Sequence, residues 1–475
     1  MADPTGPRGV RWSGTTPRWR LGAVAGAAAL VLALGAVALG AAADGPAGTP
    51  DEFTVVTGLD ASGTDVYRHL VDEWNACRST GPTARLVEIS AITDLQRADM
   101  VRWLQTEGHR YDVLNLDNQW IAEFARAGHL ARVDGAVPTG GLLPNVVDAV
   151  RYDDEVWAVP FVADAGLLYY RSDLVDRADL EGQDWADTLA VLDARAEGDG
   201  VHGYAAQLDA YEGLTVNTME FANEHTDLVT EADGTPTAVL ADDPQRTQVR
   251  VLTDALASGA VHPGSLGDAE ADSVDRFAAG EAVAMRNWPI WYDRLAERPG
   301  VRPAAGEDHT GTGEDPEGDR IEFDVLPLPS FSAVLGGQSL AVNRASPYEE
   351  AAFDLIAFLT ATEQQRRLFH TAGYAPVRAD AYHGEVVDRP GPDPCDPDGA
   401  ATTTVDTRRG AYADLLLDSV TQAGHRPRTP YYQRFTTTLY GGLHPLLDAA
   451  AQGRDVPRDD LADLQERLNT TLGGG

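Results

Sequence analysis

Two aspartates stand at the ends of apolar runs, where open α/β sheets gather ligands. Asp117 ends the run YDVLNL (Tyr111 to Leu116) and is followed by Asn118. Asp164 comes after WAVPFV in the same way and precedes Gly166. A carboxylate so placed can accept two hydrogen bonds from vicinal hydroxyls. The alternatives are local: a helix N-cap at Asp117 and a turn residue at Asp164. Trp288 and Trp291 flank Pro289 after another apolar run. Their indole faces could stack on an apolar ring face or simply pack in the core. Gly336, Gly337 and Gln338 open SLAVN, where two glycines permit close backbone approach and Gln offers a donor and an acceptor; a plain turn fits equally. Arg426 in RPRTPYY could fork onto two hydroxyls or stand solvated.

The elements that must position these residues alternate. Phe53–Thr57, Leu86–Ile89 and Tyr111–Leu116 read as strands, separated by helical spacing of Val66, Leu70, Val71 and Trp74 and a helix over Leu95–Thr106. Further strands are predicted at Val156–Val162, Leu167–Tyr170, Ala282–Met285, Phe323–Leu326 and Leu340–Val342, with helices and loops over most of 171–282. Such alternation argues for an α/β fold with a mainly parallel sheet. Ser346-Pro347-Tyr348-Glu349 and Thr360-Ala361-Thr362-Glu363 read as capping boxes, and Gly373 as a helix stop. Residues 305–320 and 384–408 read as loops.

The 475 residues carry a formal net charge of -37 and no lysine. Nucleic acid is therefore an unsuitable partner, and Schiff-base or phosphate-loop lysine chemistry is excluded. No H-E-x-x-H or G-x-S-x-G motif is present. Gly198, Gly200 and Gly203 match G-x-G-x-x-G but follow a polar stretch, which argues against a nucleotide site. Neither cysteines nor histidines have metal-ligand spacing, so no metal and no cofactor is expected. Arg8, Arg11, Arg18 and Arg20 precede the uncharged run Leu21–Ala43, which reads as an export signal or an uncleaved membrane anchor. Either places the bulk of the chain outside the cytoplasm, where Cys77 and Cys395 could form a disulfide.

Taken in order, several blocks resemble the extracellular sugar-binding proteins of bacterial ABC importers, most closely the actinobacterial trehalose- and disaccharide-binding members. They are YDVLNLDNQWIAEFARAGHL (Tyr111–Leu130), VWAVPFVADAGLLYYRSDL (Val156–Leu174), EGLTVNTMEF (Glu212–Phe221), FAAGEAVAMRNWPIWY (Phe277–Tyr292), GGQSLAVN, GYAPVR and RPRTPYY. The resemblance implies the two-lobed periplasmic-binding-protein fold, with strands crossing at a hinge, and no enzymatic activity. It implies lobe 1 from 53–163 and 283–335 and lobe 2 from 164–282 and 336–475, after a hydrophobic segment (1–43) and a linker (44–52). It places Asp117, Asn118, Asp164, Asn217, Glu220, Trp288, Trp291, Gly337, Gln338, Tyr374 and Arg426 around the sugar. The implied partners are a disaccharide such as trehalose and a permease with a cytoplasmic ATPase, served by a monomeric, tethered protein at the cell surface.

Three departures stand out. No lipobox cysteine follows the apolar run, ANEHTDL replaces a W-G-A-G-G-like segment after Glu220, and a Pro/Asp-rich insertion surrounds Cys395. Competing readings are a secreted glycosidase using Asp117 and Asp164 as its carboxylate pair, and a surface sensor or adhesion protein retaining the fold.

Overall fold

Short runs of buried β-formers separated by amphipathic helices build two five-stranded sheets. The computed structural model describes residues 52–474 apart from 107, 223–226, 233–234, 305–319, 385, 388–401 and 404–409. The run Leu21–Ala43, Cys395 and the expected 305–320 loop up to 319 thus lie outside the described residues. Cys77 is disulfide-bonded.

The first sheet receives β1 (Glu52–Thr57), β2 (Thr83–Glu88), β3 (Val113–Asp117) and β4 (Val159–Ala165). The chain then crosses at Gly166 into β5 (Leu167–Arg171) of the second sheet. That sheet is completed by β6 (His202–Ala205), β7 (Ala282–Asn287), β8 (Val301–Pro303) and β9 (Ile321–Pro327). After residues 328–334 the chain recrosses into β10 (Leu335–Val342) of the first sheet. The spatial orders are β2-β1-β3-β10-β4 and β8-β9-β5-β7-β6.

β1 is parallel to β2 and β3, whereas β10 runs antiparallel to β3 and β4. Pro160 lies on the edge strand β4, at a register shift opposite Gln338 and Ser339. Proline lacks a ladder donor, so an edge strand with a bulge is where it is tolerated.

These pairings correct the expected lobe boundaries. β7 and β9 belong to the second sheet, so 283–335 does not join the first lobe. β10 belongs to the first sheet, so residue 336 does not begin a second-lobe segment. The sheets interleave along the chain, and partner choice is a long-range matter that strand patterning does not encode.

α1 (Val66–Ala76) buries Val66, Tyr67, Leu70, Val71 and Trp74, and Trp74 meets Phe53 edge-on at 5.7 Å. α2 (Thr93–Thr106) and the short α3 (Ile121–Arg126) also belong to this half. The second half holds α4 (Glu212–Ala222), α5 (Gln245–Ser258), α6 (Glu270–Ala278) and α7 (Trp291–Ala296). α8 (Glu349–Leu359) packs on β10 and α1, and α9 (Thr362–Ala372) on α1. α10 (Gly410–Gln422) touches β4 and β9, one strand of each sheet. α11 (Tyr432–Ala451) and α12 (Arg458–Leu472) pack on each other, and α11 also packs on α4 and α5.

Neither capping box forms. Ser346 donates its hydroxyl to Asp112 (2.6 Å), and the helix begins at Glu349. Thr360 bonds back to the Ile356 carbonyl at 2.8 Å. Gly373 does stop α9, at φ 75°. Gly200 precedes β6 and Gly203 lies within it, so the glycine motif opens no helix. In the 384–408 segment, Val386–Val387 pairs with Thr402–Thr403.

Gly337 has φ 103°, and a Cβ there would lie 2.3 Å from the Val162 carbonyl oxygen. Gly337→Ala is therefore expected to lower stability by about 2 kcal/mol or more, read as a lower urea midpoint with an unchanged m-value.

Candidate functional site

Antiparallel register brings three strand ends of the first sheet to one edge. Gln338 pairs with Asp117 on one side, and Gly336 pairs with Asp164 on the other. Asn115 donates to Gln338 Oε1 at 2.8 Å, which leaves the Gln338 amide nitrogen unpaired among the described residues.

Asp117 does not stand alone. It accepts a 2.7 Å hydrogen bond from Arg426 Nη2, while Arg426 Nη1 reaches Glu212 Oε1 at 3.2 Å. Glu212 lies on α4 and also accepts from Tyr432 and Thr436 on α11, both at 2.6 Å. One guanidinium, 7% exposed, therefore serves two carboxylates from opposite lobes. Burial pushes the pKa of Asp117 and of Glu212 up, and Arg426 pulls both back down. Asp117 occupies an N-cap position by its backbone, but its side chain makes no cap hydrogen bond.

The second lobe supplies Trp288, half-buried just past β7. Arg286 donates to both oxygens of Glu220, at 2.8 and 2.7 Å, and both side chains are 1% exposed. Its guanidinium lies 3.6 Å from the Trp288 ring centroid, covering one indole face. Trp288 Nε1 points to Glu270 at 3.4 Å, and its carbonyl accepts from Tyr169 at 2.8 Å. Gly336 makes the approach of the two lobes possible. A Cβ there would lie 3.0 Å from Asp164 Cβ and 3.1 Å from Trp288 Cζ3.

Asp164 is half-buried and accepts no hydrogen bond from a described residue. Burial, reinforced by the negative charge of Asp117, pushes its pKa up to about 7, against the pull of Arg286 and Arg426.

The structure thus brings together Asp117, Asp164, Trp288, Gln338, Gly337 and Arg426. The other expected ligand contacts have partners within the protein. Asn118 is buried between the Gly336 carbonyl (3.1 Å) and the Ser339 hydroxyl (2.7 Å). Asn217 donates its amide to the carbonyls of Gln207 and Gly213, at 3.1 and 2.9 Å, while its Oδ1 is buried with no partner among the described residues. Glu220 is consumed by Arg286, because a buried carboxylate must be paired. Tyr374 donates to Asp60 at 2.7 Å and holds the loop after β1. Trp291 is partly buried against the core, with Arg294 at 5.9 Å from its ring. Two residues were not foreseen: Glu212, which opens the block EGLTVNTMEF, and Arg286, which precedes Asn-Trp-Pro. A charged residue within an otherwise apolar strand was the available signal for Arg286.

Two lobes, each on its own sheet, are joined by crossings at Gly166 and 328–334 and by the chain's return to the second lobe before α11, and they face polar strand ends toward an indole. Residues 79–391 match the bacterial extracellular solute-binding protein family, and the chain belongs to that family. A protein of Deinococcus radiodurans named "Probable ABC transporter-binding protein" is 28% identical over 339 residues, covering 68% of this chain and 76% of its own. Maltose-bound MalE3 of T. maritima superimposes with a TM-score of 0.69 at 24% identity, over 88% of this chain and 99% of that one. UgpB of Mycobacterium tuberculosis, in complex with glycerophosphocholine, gives a TM-score of 0.68 at 16% identity, over 90% and 99%. Among the described residues, no helix is long and apolar enough to cross a membrane.

Two outcomes follow from this geometry. Arg286→Met strands the Glu220 charge and is expected to cost about 3–5 kcal/mol, whereas the double variant Glu220→Leu/Arg286→Met is expected to regain most of that loss; denaturant titration of both checks it. Asp164 behaves differently. Its folded form holds a proton up to about pH 7, whereas an unfolded aspartate releases it near pH ~3.9. The folded state binds more protons between those values, so this group costs stability as pH rises from about 4 to about 7 and no more beyond. Asp164→Asn is expected to remove that slope from the pH profile of Tm.

Proposed function

We propose that this chain is the substrate-binding subunit of an ABC importer, capturing a saccharide between its lobes and delivering it to a permease driven by a cytoplasmic ATPase. The observation that carries the reading is the pairing of opposites across the lobes. Asp117, Gln338 and Asp164 offer acceptors and a donor suited to ring hydroxyls. Trp288 offers an indole face suited to the C–H face of the same ring.

The maltose of MalE3 and the name of the Deinococcus protein support this reading, and the glycerophosphocholine of UgpB marks how widely ligands vary on this fold. A disaccharide such as trehalose is our preferred ligand size, on the resemblance of the sequence blocks. Capture would close the lobes by rotation at Gly166 and 328–334, where the chain changes sheets, and at 423–431, where it returns to the second lobe. The run Leu21–Ala43 would direct export and, without a lipobox cysteine, hold the protein at the membrane as a retained helix.

Titration calorimetry of residues 52–475 with maltose, trehalose and their monosaccharides tests the reading. At least one is expected to bind, and no binding across the set would overturn it. Asp117→Ala is expected to weaken binding by about one to two decades, since a hydrogen bond to a charged group is worth about 1.5–3 kcal/mol. It also leaves Arg426 with Glu212 alone, so Tm should fall too. Trp288→Ala should cost affinity with a smaller loss of Tm.

A further inference from the structure

The charges around the candidate site do not balance. Five carboxylates gather there, Asp117, Asp164, Glu212, Glu220 and Glu270, against two guanidinium groups. Arg286 is fully engaged by Glu220 through two hydrogen bonds. Arg426 is divided between Asp117 and Glu212. Glu270 takes the indole N–H of Trp288. Asp164 is left with no donor.

The surroundings of Asp164 cannot make up the deficit. The charged groups acting on it are Asp117 on β3, Arg286 on β7 and Arg426 before α11, and both arginines already face other acids. The remaining titratable neighbours, Tyr67, Tyr169 and Tyr382, are buried phenols whose own pKa values are raised, so they stay neutral.

Resting on the reading of the cleft as a saccharide site, we propose that its ligand carries a protonated amine, seated on Asp164 while the ring lies against the open face of Trp288. A hydroxyl can fill a carboxylate lone pair but leaves its charge in place. An ammonium does both, and its hydrogen bonds to a carboxylate are roughly twice as strong as neutral ones. Position supports the pairing. Asp164 and Trp288 meet over Gly336, where even a methyl group would stand 3.0 and 3.1 Å from them. Because Arg286 covers one indole face, the ring of the ligand has the other face of Trp288 to use.

Proton linkage supplies a signature that a structural aspartate would not produce. With Asp164 half-ionised near pH 7, an arriving cation drives it to the carboxylate, so about half a proton leaves the protein for each ligand bound. A neutral sugar stabilises the carboxylate through hydroxyl hydrogen bonds alone, so it releases fewer.

The test uses residues 52–475 and a panel of glucose, maltose and trehalose in which each hydroxyl in turn is replaced by an amine. Calorimetry at pH 7 in buffers of different ionisation heat gives affinity and proton count together. At least one amine is expected to bind roughly tenfold tighter than its hydroxyl parent, with proton release at pH 7 that gives way to proton uptake at pH 9, where an amine of pKa ~8 is mostly neutral and must be protonated to bind. Asp164→Asn is expected to abolish both the preference and the release. If the parents bind and no amine is preferred, or if the preference survives Asp164→Asn, the inference falls and the saccharide reading stands. If neither parents nor amines bind, both fall.

Discussion

Glu220 and Arg286 grip each other through two hydrogen bonds at the point where both crossing segments pass. A Cβ on Gly166, at the first crossing, would lie 2.4 Å from Glu220 Oε1. The second crossing donates the Val334 N–H to that same oxygen at 3.3 Å. On its other side the guanidinium lies on Trp288. A buried ion pair contributes little net stability over an apolar substitute, because desolvation offsets most of the attraction. Its value here is positional. It fixes the glycine crossing, the return crossing and the ring plane with one rigid planar fork.

Arg426 works differently. It lies before α11 yet reaches Asp117 on the first sheet and Glu212 on the second lobe. One cation shared by two acids holds the lobes together with a deficit of positive charge. A ligand that supplies hydrogen-bond donors to Asp117 would compete with Arg426 for that carboxylate and so loosen one tie while making another. Closure on such a ligand would be an exchange of partners.

The strand–helix alternation was legible because buried β-runs and 3.6-residue periodicity are local. The positions of Asp117, Asp164 and Trp288 at the ends of strands were legible too, each following a short apolar run. Sheet membership was not legible. β7 reads the same whether it pairs with β5 or with β3, and only the fold decides. Asn217 and Glu220 were ambiguous for a related reason. A polar residue on a helix can face a ligand or a buried partner, and the partner of Glu220 lies 66 residues away. The first capping box failed where Ser346 found a distant acceptor, Asp112, 234 residues away, and the second where Thr360 bonded back to the Ile356 carbonyl.

The central claim is that one ligand bridges the first-sheet edge and the second-lobe indole. A crystal structure of residues 52–475 grown with the tightest saccharide from calorimetry tests it most directly. The account predicts ligand density between Asp117, Gln338 and Asp164 on one side and Trp288 on the other, with hydroxyl or amine groups within hydrogen-bonding distance of both aspartates. Density anywhere else, with Asp117 still bound to Arg426 and the Trp288 face bare, would contradict it.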